Sequence, residues 1–146
     1  MASQKIRSGT VKVDGLAELN RALRAIGPEA QKELREASKK VAGFVAKDAA
    51  SAASSIGGVA AKTAPSIKPV GGVGGAGVAF GGSAYPFAGG AEFGSIRFKQ
   101  FKPWRGSDSN AGYFVYPSIR RDADRIVTEF SDAVEQVISR NFPLPI

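Results

Sequence analysis

Two long segments of the chain carry apolar residues at helical spacing, and a glycine-rich stretch separates them. In the first segment, residues 28–54, apolar side chains recur three and four positions apart at Leu34, Ala37, Val41, Phe44, Val45, Ala49 and Ala52. The second segment begins at Pro117 and continues through Ile119, Ala123, Ile126, Val127, Phe130, Val134, Val137 and Ile138. Such recurrence is typical of an amphipathic helix with one buried face. The pattern therefore predicts two long helices.

Shorter elements are predicted before and between these helices. Residues 10–13 alternate as a short strand does, and Asp14 then occupies an N-cap position before a short helical pattern that Gly27 closes. Further strands are predicted at residues 76–80, 84–93, 96–101 and 113–116. This order predicts an α+β fold: a small antiparallel sheet with a long N-terminal helix and a long C-terminal helix packed on one face.

The glycine-rich stretch, residues 57–94, has twelve glycines in thirty-eight positions. Glycine has no side chain to bury and loses the most backbone entropy on ordering. We therefore expect residues 57–83 to be a long, flexible loop with one embedded strand, an arm that becomes ordered against neighbouring subunits. The whole chain, residues 1–146, is predicted to be a single domain, with residues 142–146 as an extended tail because two prolines prevent further helix.

Composition removes several kinds of chemistry. The chain has no histidine and no cysteine, which excludes imidazole catalysis, thiolate nucleophiles and Cys/His zinc sites. Gly72, Gly74 and Gly77 match a GxGxxG pattern, but no predicted strand precedes them and no predicted helix follows, so the nucleotide-binding context is missing. We expect no catalytic residues, no cofactor and no metal site. The formal net charge of +7 permits association with nucleic acid or an acidic protein surface.

The segment of residues 97–105 interleaves four bases with three aromatic residues. Three interpretations stay open. Trp and Arg are the residues that dominate protein interfaces, the alternation also suits an amphipathic strand, and bases with aromatics can bind nucleic acid. The predicted interface residues are Arg97, Phe98, Lys99, Phe101, Lys102, Trp104 and Arg105, together with Tyr85, Glu92 and Phe93.

Several segments, in this order, resemble the neck or tail-completion proteins of long-tailed bacteriophages, also described as head-tail connector or minor tail proteins. The matching pieces are residues 13–19 leading into Ala22 and Leu23, the alanine- and lysine-rich second helix, residues 85–94 with Ala91-Glu92-Phe93-Gly94, and residues 113–116 before Pro117-Ser118-Ile119 and the closing helix. The resemblance extends over residues 11–140. It departs after the second helix, where residues 63–67 only partly match the family and additional glycines follow.

The resemblance implies a non-enzymatic virion protein of the phage neck or tail, made in the host cytoplasm. It would form a homo-oligomeric ring, a hexamer or a 12-mer, and its other partners would be head-completion or stopper proteins and tail terminator or tail tube proteins. DNA would pass through the channel without sequence-specific binding, and no membrane contact is expected. A ring contact is head-to-tail, so each subunit needs two different surfaces. The basic-aromatic segment and the glycine-rich loop are the candidates.

Other functions remain open at this point. The alternative function closest to a neck protein is that of a tail terminator protein. A basic nucleic-acid-binding domain is a different class, suggested by the net charge and by residues 97–105. A stand-alone adaptor without a virion role is the third.

Overall fold

The computed structural model describes residues 8–11, 21, 27–72, 75–106 and 110–141, and its fold is α+β, as predicted. Its elements are β1 (Ser8–Val11), α1 (Pro28–Ile56), α2 (Gly58–Thr63), a 3-10 turn (Ala64–Ser66), β2 (Lys68–Gly72), β3 (Gly75–Ala79), α3 (Ala88–Phe93), α4 (Val115–Arg121) and α5 (Ala123–Asn141). Most of the predicted first helix and the predicted tail, residues 142–146, lie outside the described residues.

The described strands form one antiparallel sheet in the order β1, β3, β2. The central strand, β3, coincides with the strand predicted at residues 76–80, and Val78 on it is almost fully buried. Strand β2 lies directly against α1. At the position of a Cβ on Gly71, a side chain would be 2.9 Å from the Cα of Lys39, so only a residue without a side chain allows this approach.

Helix α1 is the element on which the others pack. It begins at Pro28 after Gly27 and ends at Ile56, where Gly57 adopts φ +79°, so the predicted bounds were nearly right. Its buried face is mostly alanine, with three larger side chains, Leu34, Val41 and Val45. It contacts β2, β3, α2, α4 and α5. The small side chains let these backbones approach closely, which offsets the little apolar area that each alanine buries.

The prediction of a long loop over residues 57–83 was wrong. This region folds into α2, the 3-10 turn and the hairpin of β2 and β3. A hydrogen-bond relay holds it together: the Ser66 hydroxyl donates to the carbonyl of Thr63 (2.7 Å) and accepts from the amide of Gly81 (2.9 Å). The high glycine content suggested a loop because glycine has no side chain to bury. In the structure, the backbone of this region makes the packing contacts and hydrogen bonds itself.

Three other predicted strands were also wrong. Residues 84–93 contain α3, residues 96–101 form bends and turns, and residues 113–116 lead into α4. Several of the aromatic residues that suggested strands pack in or against the core instead. Phe114, for example, is fully buried, and its ring meets the ring of Phe80 edge-on at 6.3 Å.

The predicted closing helix is divided at Asp122 into α4 and α5. On α5, Ile126, Phe130 and Val137 are buried, but Val127 and Ile138 are half exposed, so the predicted apolar stripe was too wide. The reason is that α5 packs mainly on α1, and a single neighbouring helix covers only a narrow face.

The carboxylates of Asp48 on α1 and Asp122 between α4 and α5 face each other. Burial raises the pKa of Asp122 to about 6, and Asp48 adds to the rise as a hydrogen-bond acceptor and by charge repulsion, whereas Arg121 and Arg125 oppose it. Asp122 Oδ2 is buried and has no other hydrogen-bond partner in the described chain. A proton on Asp122 therefore gives this atom its partner.

We expect Asp122→Asn to raise the free energy of unfolding at pH 7.5 by about 1 kcal/mol, allowing for solvent screening at a partly exposed site. The folded pKa lies above the ordinary value of 3.8, so the folded state binds more protons and wild-type stability falls as pH rises from about 4 to about 6. The amide of Asn can donate to Asp48 at every pH.

Urea unfolding at pH 4 and pH 7.5 measures this difference, with Asp124→Asn, an exposed neighbour, as the matched control. The gain should be present at pH 7.5 and nearly absent at pH 4. An equal gain at both pH values would show that the carboxyl pair is not its source.

Candidate interaction surface

Residues 95–105 form an exposed loop between α3 and α4, which we name the basic-aromatic loop. Three of its four large apolar side chains are exposed: Ile96 by 89%, Phe98 by 53% and Trp104 by 48%. Arg97, Lys99, Lys102 and Arg105 are exposed as well, and no acidic residue lies in the loop. Exposed aromatic and basic side chains side by side are typical of binding surfaces.

The two ends of the loop are fixed to the body. Helix α3 ends at Phe93 and is followed by Gly94, whose φ of +77° turns the chain outward and whose missing Cβ leaves room for the Pro103 carbonyl. The amide of Ser95 donates to the carbonyl of Lys102 (2.9 Å), and the amide of Arg105 donates to the carbonyl of Phe93 (2.6 Å). The loop is therefore closed at its base.

The tip of the loop has its own hydrogen bonds. The Ser95 hydroxyl accepts from the amides of Arg97 and Phe98, both at 3.0 Å, and the amide of Phe101 donates to the carbonyl of Phe98 at 3.2 Å. The guanidinium of Arg97 lies 5.7 Å from the centre of the Phe98 ring. These local bonds hold the exposed side chains in a defined arrangement, which lowers the entropy cost of binding.

Tyr113, which precedes α4, holds the second half of the loop. Its hydroxyl donates to the carbonyl of Pro103 at 2.8 Å, and its ring is 4.9 Å from the Arg105 guanidinium and 5.8 Å from the Lys102 ammonium. Lys102 and Arg105 therefore contact Tyr113, outside the loop, whereas the ring contact of Arg97 is with Phe98, within the loop. Arg97 and Lys99, at the tip, are the ones left for a partner. The sequence analysis missed Tyr113 because it assigned this residue to a strand.

Glu92, predicted as an interface residue, is fully buried and does not reach the surface. Its Oε1 accepts from the amides of Phe114 and Val115 (both 2.9 Å) and Tyr113 (3.3 Å), and its Oε2 accepts from the amide of Tyr116 (2.9 Å). Burial raises the pKa of Glu92, and these backbone donors act in the opposite direction. Its role is to cap the N-terminus of α4, where helical N–H groups lack internal partners.

The other predicted interface residues divide between two places. Phe93 is partly buried, and its ring packs against the ring of Trp104 with centroids 6.4 Å apart, so it holds this part of the loop against the body. The ring of Phe101 is partly buried against Gly90. Tyr85, by contrast, contacts Phe87 and lines a different cleft with Pro65 and Phe80. The structure thus brings together the predicted residues of positions 93–105 but not Tyr85.

A second surface, which we name the acidic groove, lies between α1 and α5 and has a volume of about 280 Å³. Four carboxylates and one ammonium give its lining a formal net charge of −3, in residues Glu33, Glu36, Ala37, Lys40, Glu129, Asp132, Ala133 and Gln136. Lys40 pairs with Glu129 at 3.0 Å, and Arg140 at the rim pairs with Glu33. Within the described chain, Glu36 and Asp132 take part in no ion pair. The sequence analysis did not predict this groove.

The described residues offer neither a metal site nor a membrane-spanning helix. They contain no group of three or more His, Cys, Asp or Glu side chains arranged to hold a metal ion. None of the helices in these ranges is long and apolar enough to cross a membrane.

The fold and the surface define this chain as an α+β protein with two separate surfaces, the basic-aromatic loop and the acidic groove. No protein-family model, curated protein or solved structure matches the chain.

Proposed function

We propose that this protein is a structural virion protein of a long-tailed phage that forms a homo-oligomeric ring in the neck and completes the joint between head and tail. Its neighbours would be a head-completion or stopper protein on one side and a tail terminator or tail tube protein on the other. The ring would surround the DNA channel without reading the DNA sequence, and its assembly would need no chemical step.

The observation that carries the proposal is the basic-aromatic loop. It exposes Ile96, Phe98 and Trp104 beside four bases, and local hydrogen bonds hold its tip in a defined arrangement, a combination typical of protein interfaces. The resemblance of residues 11–140 to neck and tail-completion proteins supplies the virion context. The acidic groove gives the subunit a second, different surface, which a head-to-tail ring requires.

The test is to disrupt the gene in the phage that encodes the chain. We expect filled heads and separate, finished tails, and we expect the protein in purified wild-type particles in a ring-like copy number, six or twelve. The proposal is abandoned if the chain is absent from particles or if heads and tails still join without it. Tails of uncontrolled length would instead assign the protein as the tail terminator.

The four exposed bases of the loop also favour a second candidate, a nucleic-acid-binding domain. True phosphate contacts make the logarithm of affinity fall by about 0.9 for each phosphate per tenfold increase in salt. Tight binding of duplex DNA at physiological salt, with a slope that Lys99→Ala and Arg97→Ala reduce, would favour this candidate. Weak binding at low salt only would leave the neck protein as the better proposal.

A further inference from the structure

We propose that the basic-aromatic loop of one subunit docks into the acidic groove of a second copy of this chain. The inference rests on the proposed ring assembly and names the two surfaces that form its contact. It replaces the glycine-rich loop, which the sequence suggested as the second surface, because residues 57–72 and 75–83 are folded into the body.

The charges of the two surfaces are complementary. The loop carries four bases and no acid, and the groove lining carries a formal net charge of −3. None of the four loop bases forms an ion pair within the described chain, and in the groove Glu36 and Asp132 are the carboxylates without one. Apolar side chains beside the loop bases can cover the alanine floor of the groove at Ala37 and Ala133. Complementary charge fixes which surfaces meet, and the apolar contacts stabilise them.

The two surfaces of one chain cannot meet each other. Phe101 and Lys102 of the loop share a cleft with Ile56 and Gly57 at the C-terminal end of α1, whereas the groove is lined by residues around Glu36 near its N-terminal end. About twenty helical residues separate these ends, roughly 30 Å at 1.5 Å per residue. Because the amide of Ser95 is bonded to the carbonyl of Lys102, only residues 96–101 lie beyond the base, and their tip is about three residues, or about 10 Å, from it at most. The partner must therefore be another molecule.

A contact between different surfaces at opposite ends of a subunit is head-to-tail. Repetition of such a contact gives a closed ring when the rotation between subunits closes and an open filament when it does not. A symmetric dimer would instead use the same surface twice. The placement of loop and groove thus favours the geometry that a ring requires.

Charge reversal with rescue tests the pairing. We expect Arg97→Glu with Lys99→Glu, and separately Glu36→Lys with Asp132→Lys, each to weaken self-association of the full chain about tenfold or more in sedimentation velocity. Placing all four changes in one chain should restore association to within about threefold of wild type. Lys62→Glu with Lys68→Glu is the matched control, since both residues are exposed bases outside the loop. No rescue, or an equal effect in the control, overturns the pairing.

Crosslinking tests the direction of the contact. The chain contains no cysteine, so Lys99→Cys and Glu36→Cys introduce the only thiols. With a short bis-maleimide, the variant with both cysteines should give a ladder of dimers, trimers and larger species, and each single variant should give dimers at most. A product that stops at dimers in the double variant, or no product up to millimolar protein, overturns the inference.

The outcomes separate this inference from the proposed function. Rescue and a ladder in a protein that is absent from particles would support the contact and refute the neck role. A protein present in particles at ring copy number but without rescue would keep the neck role and refute this contact. If reversal at Arg97 and Lys99 abolishes DNA binding while reversal at Glu36 and Asp132 has no effect on association, the loop binds nucleic acid and the inference fails.

Discussion

Glu92→Ala is expected to lower the free energy of unfolding by about 3–5 kcal/mol, because it leaves the amides of residues 113–116 without their acceptor. Each buried amide that loses its partner costs about 1–3 kcal/mol, and the amides nearest the surface can recover part of this from water. The start of α4 and the second half of the basic-aromatic loop should lose order together. Urea unfolding gives the energy, and hydrogen exchange at residues 113–116 shows where the protection is lost.

Two further substitutions test whether the lost hydrogen bonds cause the loss in stability. Glu92→Gln keeps one oxygen that can accept from three amides and loses the acceptor of Tyr116, so we expect a smaller loss of about 1–2 kcal/mol. Glu135→Ala removes an exposed carboxylate on α5 and should change stability by less than about 0.5 kcal/mol. If Gln were as damaging as Ala, the four-amide cap would not explain the loss.

Phe130→Ala should cost about 3–5 kcal/mol, because this side chain is 3% exposed and fills the contact between α5 and the rest of the core. A cavity of this kind cannot collapse easily, since the buried face of α1, on which α5 packs, is mostly alanine, and an alanine side chain has no rotamers with which to fill it. The midpoint and slope of urea unfolding measure the loss in stability.

The matched control for Phe130→Ala is Val127→Ala, less than one turn away on the same helix. Val127 is 56% exposed, so its truncation should cost less than about 0.5 kcal/mol. Similar losses at the two positions would mean that α5 is rotated about its axis relative to the structure described above.

Hydrophobic periodicity was sufficient to predict the helical part of the fold. The pattern at Leu34, Val41 and Val45 identifies α1 nearly to its ends, and Ile126, Phe130 and Val137 identify the buried face of α5. These features depend on neighbours three or four positions away, which the sequence displays directly. The loop side chains at Arg97 and Lys99 could also be selected from local composition.

The rest depends on contacts between distant positions. The acceptor that starts α4 is Glu92, 21 to 24 residues earlier in the chain, and nothing near residues 113–116 indicates it. The aromatic residues at positions 113–116 therefore suggested a strand rather than the start of a helix. The acidic groove could not be predicted from the sequence for the same reason. Glu36 and Asp132 lie almost a hundred residues apart and become neighbours only when α5 packs on α1.

The close approach of β2 to α1 at Gly71 has a consequence for how this chain tolerates change. Composition alone would mark residues 57–94 as the most permissive part of the sequence, a place for insertions or affinity tags. A glycine that holds two backbones together admits no replacement, and Gly94 is constrained in the same way by the Pro103 carbonyl. In a saturation mutagenesis library, these glycines should therefore rank with Phe130 among the depleted positions, while Lys62 and Asp124 accept most residues.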